Sequence, residues 1–315
     1  MSPSGLPKFG ILQNLHTHTN FSDGSDDPGV YVHEAIRQGF LSLGFSDHSP
    51  LPFDNSFALR EDQTEEYCKT ILSLKEQYSE KTINCSEIRS REGQKNDNST
   101  FPSPGISIFL GLEVDFIPGM GHTPDYFRKR FPLDYYIGSV HLVKNPEVEE
   151  LWFIDGPVIK TFDNGLAKVF AGNGRKGVTA YYRQIQEMVS TFKPDIVGHL
   201  DKIKMHNWDR FFSETDSWYI KLVDDTLDII RENGCVVEVN TRGIYKNRSD
   251  SLFPGPAILE KIIQRKIPAC LCSDAHKPEE IAMYFGEAKN ELHKIGFREL
   301  MYLTPGGWTA EPIFV

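Results

Sequence analysis

The sequence lacks the marks of membrane and secreted proteins. Its 315 residues contain no run of about 18 or more apolar residues, the length that a helix needs to cross a bilayer. The first five residues lack the basic stretch and apolar segment of a secretory signal. We therefore expect a soluble, cytoplasmic protein with no membrane partner.

Cysteine is also scarce. The five cysteines form an odd and widely spread set, which excludes a disulfide framework and indicates reduced thiols. Cys270 and Cys272 lie in an apolar run before Ser273, so we expect buried strand residues there and not metal ligands.

Basic residues are outnumbered by acidic ones. There are 34 Lys and Arg against 44 Asp and Glu, and the formal net charge is −10. Nucleic-acid binding depends on clustered positive charge, so we expect no nucleic-acid partner. The acidic excess is compatible with carboxylates that are neutralised by bound divalent cations.

Short apolar runs alternate with helical segments, the pattern of an α/β fold with parallel strands. The predicted strands cover residues 11–15, 41–45, 106–114, 135–140, 196–198, 236–239 and 267–271. The predicted helices cover residues 29–38, 64–81, 180–192, 216–233 and 256–265. We expect one domain spanning residues 1–315, with a polar surface insertion at residues 85–104. The sequence predicts no oligomeric state.

Metal-capable side chains recur directly after the predicted strands. His16 and His18 follow the first strand, and residues two apart on an extended segment point to one side, so both imidazoles can bind one ion. Asp23 lies shortly after them, at a position that also suits a turn carboxylate. The later strands end in the same kinds of residue, namely His48, Glu113, His141, His199, Asp274 and His276.

Parallel strands that close into a barrel bring their carboxyl ends to one mouth, where the active sites of such folds lie. Each residue taken alone has an ordinary explanation, such as a buried hydrogen bond or a turn cap. The same property at six strand ends favours one shared explanation. The sequence therefore predicts a metal centre built from all nine side chains.

The motifs resemble those of the polymerase and histidinol phosphatase superfamily, and they are most similar to its members that hydrolyse histidinol phosphate. The first motif is His16-Thr17-His18-Thr19 with Ser22-Asp23-Gly24. The others follow in order as Ser46-Asp47-His48, Gly111-Leu112-Glu113, Gly138-Ser139-Val140-His141, Gly198-His199-Leu200-Asp201 and Ser273-Asp274-Ala275-His276. The resemblance covers nearly the whole chain and implies an α/β fold, a distorted (β/α)7 TIM-like barrel.

The resemblance also implies three divalent metal ions. The first would be held by His16, His18, Glu113 and Asp274, the second by Glu113, His141 and His199, and the third by Asp23, His48 and His276. Zn, Mn and Fe all suit imidazole and carboxylate ligands. Glu113, Asp274 and His199 are the catalytic residues that this assignment predicts.

The implied activity is hydrolysis of the small molecule L-histidinol phosphate to L-histidinol and phosphate, a step of histidine biosynthesis, by metal-activated hydroxide. Arg183, Arg242 and Lys246 are candidates for binding the phosphate, although each arginine is equally compatible with a surface salt bridge. Asp47 and Asp201, beside ligand histidines, are expected to orient the rings. The alternatives are a phosphoesterase of the same superfamily acting on another sugar or nucleotide phosphate, and a metal-binding module without catalysis.

Overall fold

The computed structural model describes residues 12–79 and 105–313. The predicted insertion at 85–104 lies outside the described residues. The described residues form an α/β fold with parallel sheets. No helix within the two described ranges is long and apolar enough to cross a membrane.

All seven predicted strand regions contain β-structure. The first sheet consists of β1 (Gln13–Asn14), β2 (Ser42–Phe45) and β3 (Ser107–Leu110), which are parallel and in chain order. The next strands are β4 (Glu113–Asp115), β5 (Ile137–Ser139), β6 (Leu142–Lys144), β7 (Leu151–Phe153), β8 (Ile196–Val197), β9 (Val236–Asn240) and β10 (Ala269–Cys272). The second sheet is parallel and has the order β10-β9-β8-β5-β4, while β6 and β7 form an antiparallel hairpin.

The predicted strand at 106–114 is broken into β3 and β4, and this kink joins the two sheets, because β3 pairs with β2 whereas β4 pairs with β5. Tyr135 packs against this kink. Its ring lies against Gly111, where an added Cβ would come within 2.5 Å of the ring, and its hydroxyl donates to the carbonyls of Leu15 and Phe45. At the other edges, the end of β1 meets the end of β10 through a parallel bridge between Thr17 and Ala275.

One apolar cluster is shared by both sheets. It combines residues from several strands, namely Leu15, Phe109, Tyr135, Ile137, Ile196, Val236, Cys270 and Cys272. Both strand cysteines are therefore buried, as predicted, and Cys68 and Cys235 are buried free thiols as well.

The C-terminal hairpin covers one side of this cluster. It consists of β11 (Glu299–Thr304) and β12 (Gly307–Pro312), and Leu303 packs into the cluster while Gln13 exchanges two hydrogen bonds with the Leu303 backbone. Because Gln13 begins β1, the hairpin lies at the amino ends of the strands. This hairpin was not predicted.

The helices are α1 (Pro28–Gln38), α2 (Thr64–Ser79), α3 (Pro124–Arg130), α4 (Ile159–Phe170), α5 (Gly174–Phe192), α6 (Ser217–Asn233), α7 (Arg242–Tyr245), α8 (Pro256–Gln264) and α9 (Phe285–Ile295). Five of them, α1, α2, α5, α6 and α8, were predicted. α5 begins at Gly174 and not at residue 180, because the Asn173 side chain accepts a hydrogen bond from the Lys176 N–H and caps an earlier first turn. α3, α4, α7 and α9 were not predicted.

The β6–β7 hairpin and α4 pack around one tryptophan. The Trp152 indole N–H donates to the Phe162 carbonyl at 2.9 Å, and the ring lies against Gly165 and Gly177. This packing returns the chain after β7 to the carboxyl ends of the central strands, where the Ile154 N–H donates to the His141 carbonyl at 3.0 Å.

Candidate metal centre

All nine predicted ligands come together at the carboxyl ends of the strands. Within 4.8 Å of one another, their nitrogen and oxygen atoms form the groups His18-Asp23-His48-His276, His16-His18-Asp274 and His16-Glu113-His199. A further group joins His48 and His141 with Asp115. Most of these side chains are buried, and Asp23 is the most exposed of them at 29%. Side chains separated by up to 260 residues thus form one cluster.

The bridge between β1 and β10 brings the first and last motifs together. The His18 N–H donates to the Ala275 carbonyl at 2.8 Å, and the Ala275 N–H donates to the His16 carbonyl at 3.0 Å. Both imidazoles then face the same carboxylate, because Asp274 Oδ1 lies 3.8 Å from His16 Nε2 and 3.4 Å from His18 Nε2. Asp274 itself has a φ of 53°, and its carbonyl accepts a 2.6 Å hydrogen bond from Arg242 that holds this left-handed backbone.

Glu113 is the central carboxylate, and its two oxygens face different histidines. Oε2 lies 3.0 to 3.5 Å from nitrogens of His16, His18 and His48. Oε1 lies 3.1 Å from His199 Nε2 and 3.6 Å from His141 Nε2. A carboxylate in this position has the geometry to bridge two cations.

A loop after β1 brings Asp23 to the other side of the cluster. Asp23 Oδ2 lies 3.2 Å from His276 Nε2, and Oδ1 lies 3.7 Å from His18 Nδ1 and 4.0 Å from His48 Nε2. Asp47 holds the loop, because it accepts hydrogen bonds from the Thr19 N–H at 2.8 Å and the Ser22 hydroxyl at 2.6 Å. The prediction that Asp47 orients a ligand histidine is therefore wrong.

The prediction for Asp201 is wrong for a similar reason. Asp201 Oδ2 accepts hydrogen bonds from Lys204 Nζ and from the Gly255 N–H, both at 2.8 Å. Its carboxylate therefore fastens the segment before α8 and does not orient the His199 ring.

Several buried imidazole nitrogens fit the role of metal ligands. His16 Nε2, both ring nitrogens of His18 and His48 Nδ1 are buried and make no hydrogen bond of normal geometry, although carboxylate oxygens lie nearby. Buried polar atoms are rarely left unpaired, and a coordinated cation would satisfy these. Burial, together with His276 and His48, lowers the pKa of His18 to about 3, so this imidazole is neutral and able to donate its lone pair at neutral pH.

Charges around the centre are strongly coupled. Burial opposes protonation of His16, but Glu238, Glu113 and Asp274 raise its pKa well above the usual value. Burial likewise opposes ionisation of Glu113, yet the surrounding histidines hold the pKa of Glu113 well below its usual range. The carboxylates are thus ionised at neutral pH, as oxygen ligands must be.

Two carboxylates outside the predicted ligand set orient the histidine rings. Asp115 Oδ1 lies 2.7 Å from His141 Nδ1, and Glu238 Oε1 lies 2.6 Å from His16 Nδ1. Such outer carboxylates fix the tautomer and direction of metal-binding imidazoles. Asp115 lies two residues after Glu113 on β4, so strand alternation was a signal that could have found it.

A family model described as PHP domain matches residues 14–242, which is most of the chain. The chain belongs to the PHP domain family. The matched region ends before Asp274 and His276, which the following part of the chain adds to the cluster.

Relatives and solved structures resemble this chain over most of its length. A protein of Deinococcus radiodurans named "Probable histidinol-phosphatase" is 25% identical over 296 residues, 92% of this chain and 96% of the relative. The histidinol-phosphatase of Bacillus subtilis is 28% identical over 282 residues, 84% and 94% of the two chains. The crystal structure of histidinol phosphate phosphatase from Lactococcus lactis, complexed with Zn, L-histidinol and phosphate, has a TM-score of 0.62 at 19% identity and covers 95% and 98% of the two chains. At that identity, the structural similarity establishes the fold.

The predicted phosphate-binding residues occupy different environments in the structure. Arg242 lies beside the cluster, with Nη1 2.6 Å from the Asp274 carbonyl and 3.6 Å from Glu280 Oε2. Lys246 forms an ion pair with the other oxygen of Glu280. Glu280 also accepts a hydrogen bond from the His276 N–H at 3.1 Å. It therefore links the Arg242 and Lys246 side chains to the last motif.

Arg183 is not brought to the centre. It is exposed on α5, while Tyr181, Tyr182 and Gln184 on either side of it are buried, so the helix turns Arg183 toward solvent. Among the described residues, none of the nine clustered side chains forms an ion pair or hydrogen bond with it. The prediction that Arg183 binds phosphate is not retained.

A buried lysine, and not Arg183, provides positive charge beside the clustered side chains. Lys202 lies three residues after His199, and its Nζ is 2.9 Å from Asp155 Oδ2 and 3.8 Å from Asp274 Oδ2. Burial opposes its charge, but Asp155 and Asp274 raise the pKa of Lys202, so it remains protonated. Asp155 lies just after β7, in a segment with no recognisable motif, so this pair could not be predicted from local pattern.

Proposed function

We propose that the chain is a metal-dependent phosphatase that hydrolyses L-histidinol phosphate to L-histidinol and phosphate, as part of histidine biosynthesis. The observation that carries this proposal is the buried cluster of nine histidines and carboxylates, in a chain that aligns over most of its length with histidinol-phosphatases. The acidic net charge disfavours a nucleic-acid substrate and so supports a small molecule.

The proposed scaffold is a single domain folded as a distorted (β/α)7 barrel. The bridge between Thr17 and Ala275 and the kink between β3 and β4 support closure, because they link the two sheets at both pairs of edges. In such a barrel all seven strand ends face one mouth, which agrees with the position of the clustered side chains.

The three proposed ligand sets overlap the four groups of clustered side chains but do not coincide with them. The first cation would be held by His16, His18, Glu113 and Asp274, the second by Glu113, His141 and His199, and the third by Asp23, His48 and His276. The opposed contacts of the two Glu113 oxygens support its bridging position. Cations bound there supply Lewis acidity, which lowers the pKa of water and neutralises phosphoryl charge.

The protein's own charges complement a phosphate monoester. Lys202 approaches Asp274 from one side and Arg242 donates to its carbonyl, so fixed positive charge lies at two sides of this carboxylate. We propose that these two side chains attract the phosphate dianion and stabilise the charge that spreads over its oxygens during transfer. Glu113, Asp274 and His199 would contribute to catalysis by positioning the cations. Lys246, held by Glu280, would reinforce the positive charge near Arg242.

The proposal is tested by phosphate release from the metal-loaded protein. L-histidinol phosphate should be hydrolysed with a kcat/KM at least about 100-fold above that of glycerol phosphate or a nucleoside monophosphate, since a phosphatase with a dedicated site uses the whole substrate for binding. A preference for a sugar or nucleotide phosphate would replace histidinol phosphate as the substrate. If the protein binds metal stoichiometrically but hydrolyses no phosphate ester, it is a metal-binding module without catalysis.

A further inference from the structure

Asp155 is a carboxylate at the edge of the metal centre that belongs to none of the proposed ligand sets. Its Oδ2 lies 4.0 Å from His141 Nε2, and its side chain is 20% exposed whereas most of the centre is closed to solvent. Oδ2 contacts Lys202 at 2.9 Å and Oδ1 accepts the Gly156 N–H at 2.6 Å. A carboxylate has about four acceptor sites, so Asp155 retains acceptor capacity on its exposed side.

The segment that carries Asp155 is held on both sides. The Ile154 N–H donates to the His141 carbonyl at 3.0 Å, and the Gly156 carbonyl lies 2.8 Å from His206 Nε2. Ile154 is buried, so strand alternation turns Phe153 and Asp155 to the opposite side, toward the centre. The position of Asp155 is therefore preformed, as a binding group requires.

An aromatic pair lies on the same edge of the centre. Phe57 and Phe153 are stacked, with ring centroids 5.8 Å apart, and both are only partly buried. Phe57 also contacts His48 edge-on at 5.2 Å between centroids, and His48 contacts His141 at the same distance. Phe57 thus contacts His48 and Asp155 approaches His141, which are the two members of one contacting histidine pair.

We propose that Asp155, Phe57 and Phe153 form a subsite for the organic part of the substrate, in which Asp155 accepts an ammonium group and the phenyl rings contact a planar ring. The matching ligand class is a phosphate monoester with an amine on the carbon next to the ester carbon and a flat side group. L-histidinol phosphate has both, so this inference rests on the proposed function and assigns residues to substrate selection.

The chemistry of the subsite differs from that of the phosphate region. Lys202 and Arg242 provide positive charge next to Asp274, which suits an anion. Asp155 provides negative charge that is compensated on one side only, which suits a cation. A zwitterionic substrate with its phosphate toward Asp274 and its ammonium toward Asp155 would satisfy both regions together.

The test compares L-histidinol phosphate with its deamino analogue on Asp155→Asn. The variant should lose roughly 10- to 100-fold in kcat/KM on the amine-bearing ester and stay within about 3-fold of the wild type on the analogue, since one charged hydrogen bond is removed. Asp163→Asn, which removes an exposed carboxylate paired with Arg210, is the matched control and should change neither value. Phe57→Leu should raise KM for histidinol phosphate several-fold with little change for an aliphatic phosphate.

Calorimetric titration gives a readout that is independent of turnover. Asp155→Asn should bind L-histidinol roughly 10- to 100-fold more weakly while its affinity for inorganic phosphate and its metal content stay unchanged. Equal losses on both esters would overturn the inference and assign Asp155 to holding Lys202. A wild type that does not distinguish the two esters would overturn the subsite but keep the phosphatase, whereas turnover of neither would overturn the proposed function and the subsite with it.

Discussion

Glu238 and His16 are joined by a fully buried contact of 2.6 Å between Oε1 and Nδ1, although 222 residues separate them in sequence. The second oxygen of Glu238 accepts the His199 backbone N–H at 2.7 Å. The Glu238 side chain on β9 therefore sets the direction of the His16 imidazole and also holds the backbone at His199. This arrangement explains how His16 can present Nε2 to Asp274 and Glu113 at once.

Replacing Glu238 with Gln should lower the affinity for metal by roughly 10- to 100-fold, because the neutral amide no longer fixes the His16 tautomer or supports its basicity. The measurement is Zn titration against a chromophoric chelator. Glu260→Gln on the exposed face of α8 is the matched control and should bind metal like the wild type. Unchanged affinity in Glu238→Gln would show that the contact has no role in binding.

Chelation of the metals should lower the stability of the folded protein. A ligand that binds only the folded state stabilises it by about 2.7 kcal/mol at a free concentration of about 100 times Kd. Removing it also leaves buried nitrogens of His16 and His18 without partners. Denaturant unfolding with excess chelator should therefore have a lower midpoint, and added Zn should restore it more fully than Mg, which prefers oxygen ligands. A midpoint insensitive to chelator would contradict the metal centre.

Gly177→Ala should destabilise the protein by about 1–3 kcal/mol, because the new Cβ would lie 2.6 Å from the buried Trp152 ring. Gly286→Ala in α9 is the matched control, since nothing lies within 4 Å of its added Cβ. That substitution should change stability by less than about 1 kcal/mol, in the stabilising direction. Urea unfolding of both variants measures the difference, and equal effects would contradict the packing of Trp152 against α5.

Cys235 should react slowly with iodoacetamide in the native protein. Burial, with a further contribution from Asp195, raises the pKa of Cys235 to about 11, so only roughly one thiol in a thousand is ionised at pH 8. Labelling should accelerate about tenfold per pH unit up to that pKa, and in urea it should follow an ordinary thiol pKa of about 8.5. Because the fold favours the protonated thiol, this group also lowers stability as pH rises above about 8.5. Mass-spectrometric peptide mapping reads the label, and fast native labelling at pH 8 would contradict burial.

The sequence by itself determined the composition of the centre. His16, His18, Glu113 and Asp274 follow short apolar runs, and parallel strands deliver their carboxyl ends to the same side, so local pattern and one topological rule were enough to group them. The seven strand regions and five helices were predicted by the same periodicity. Buried Cys270 and Cys272 followed from the apolar run that contains them.

The tertiary structure decided which neighbouring side chains serve the centre. Asp47 and Asp201 lie next to histidines in sequence but bind loops, whereas Glu238 and Asp115 reach the rings across strands. Arg183 lies on the helix before β8 but faces solvent, whereas Lys202, which follows β8, is buried against Asp155. These outcomes depend on strand register and helix rotation, which are fixed by packing between segments far apart in the chain. Local sequence pattern therefore predicts which residue types end a strand, while side-chain partners are set by contacts that only the folded chain makes.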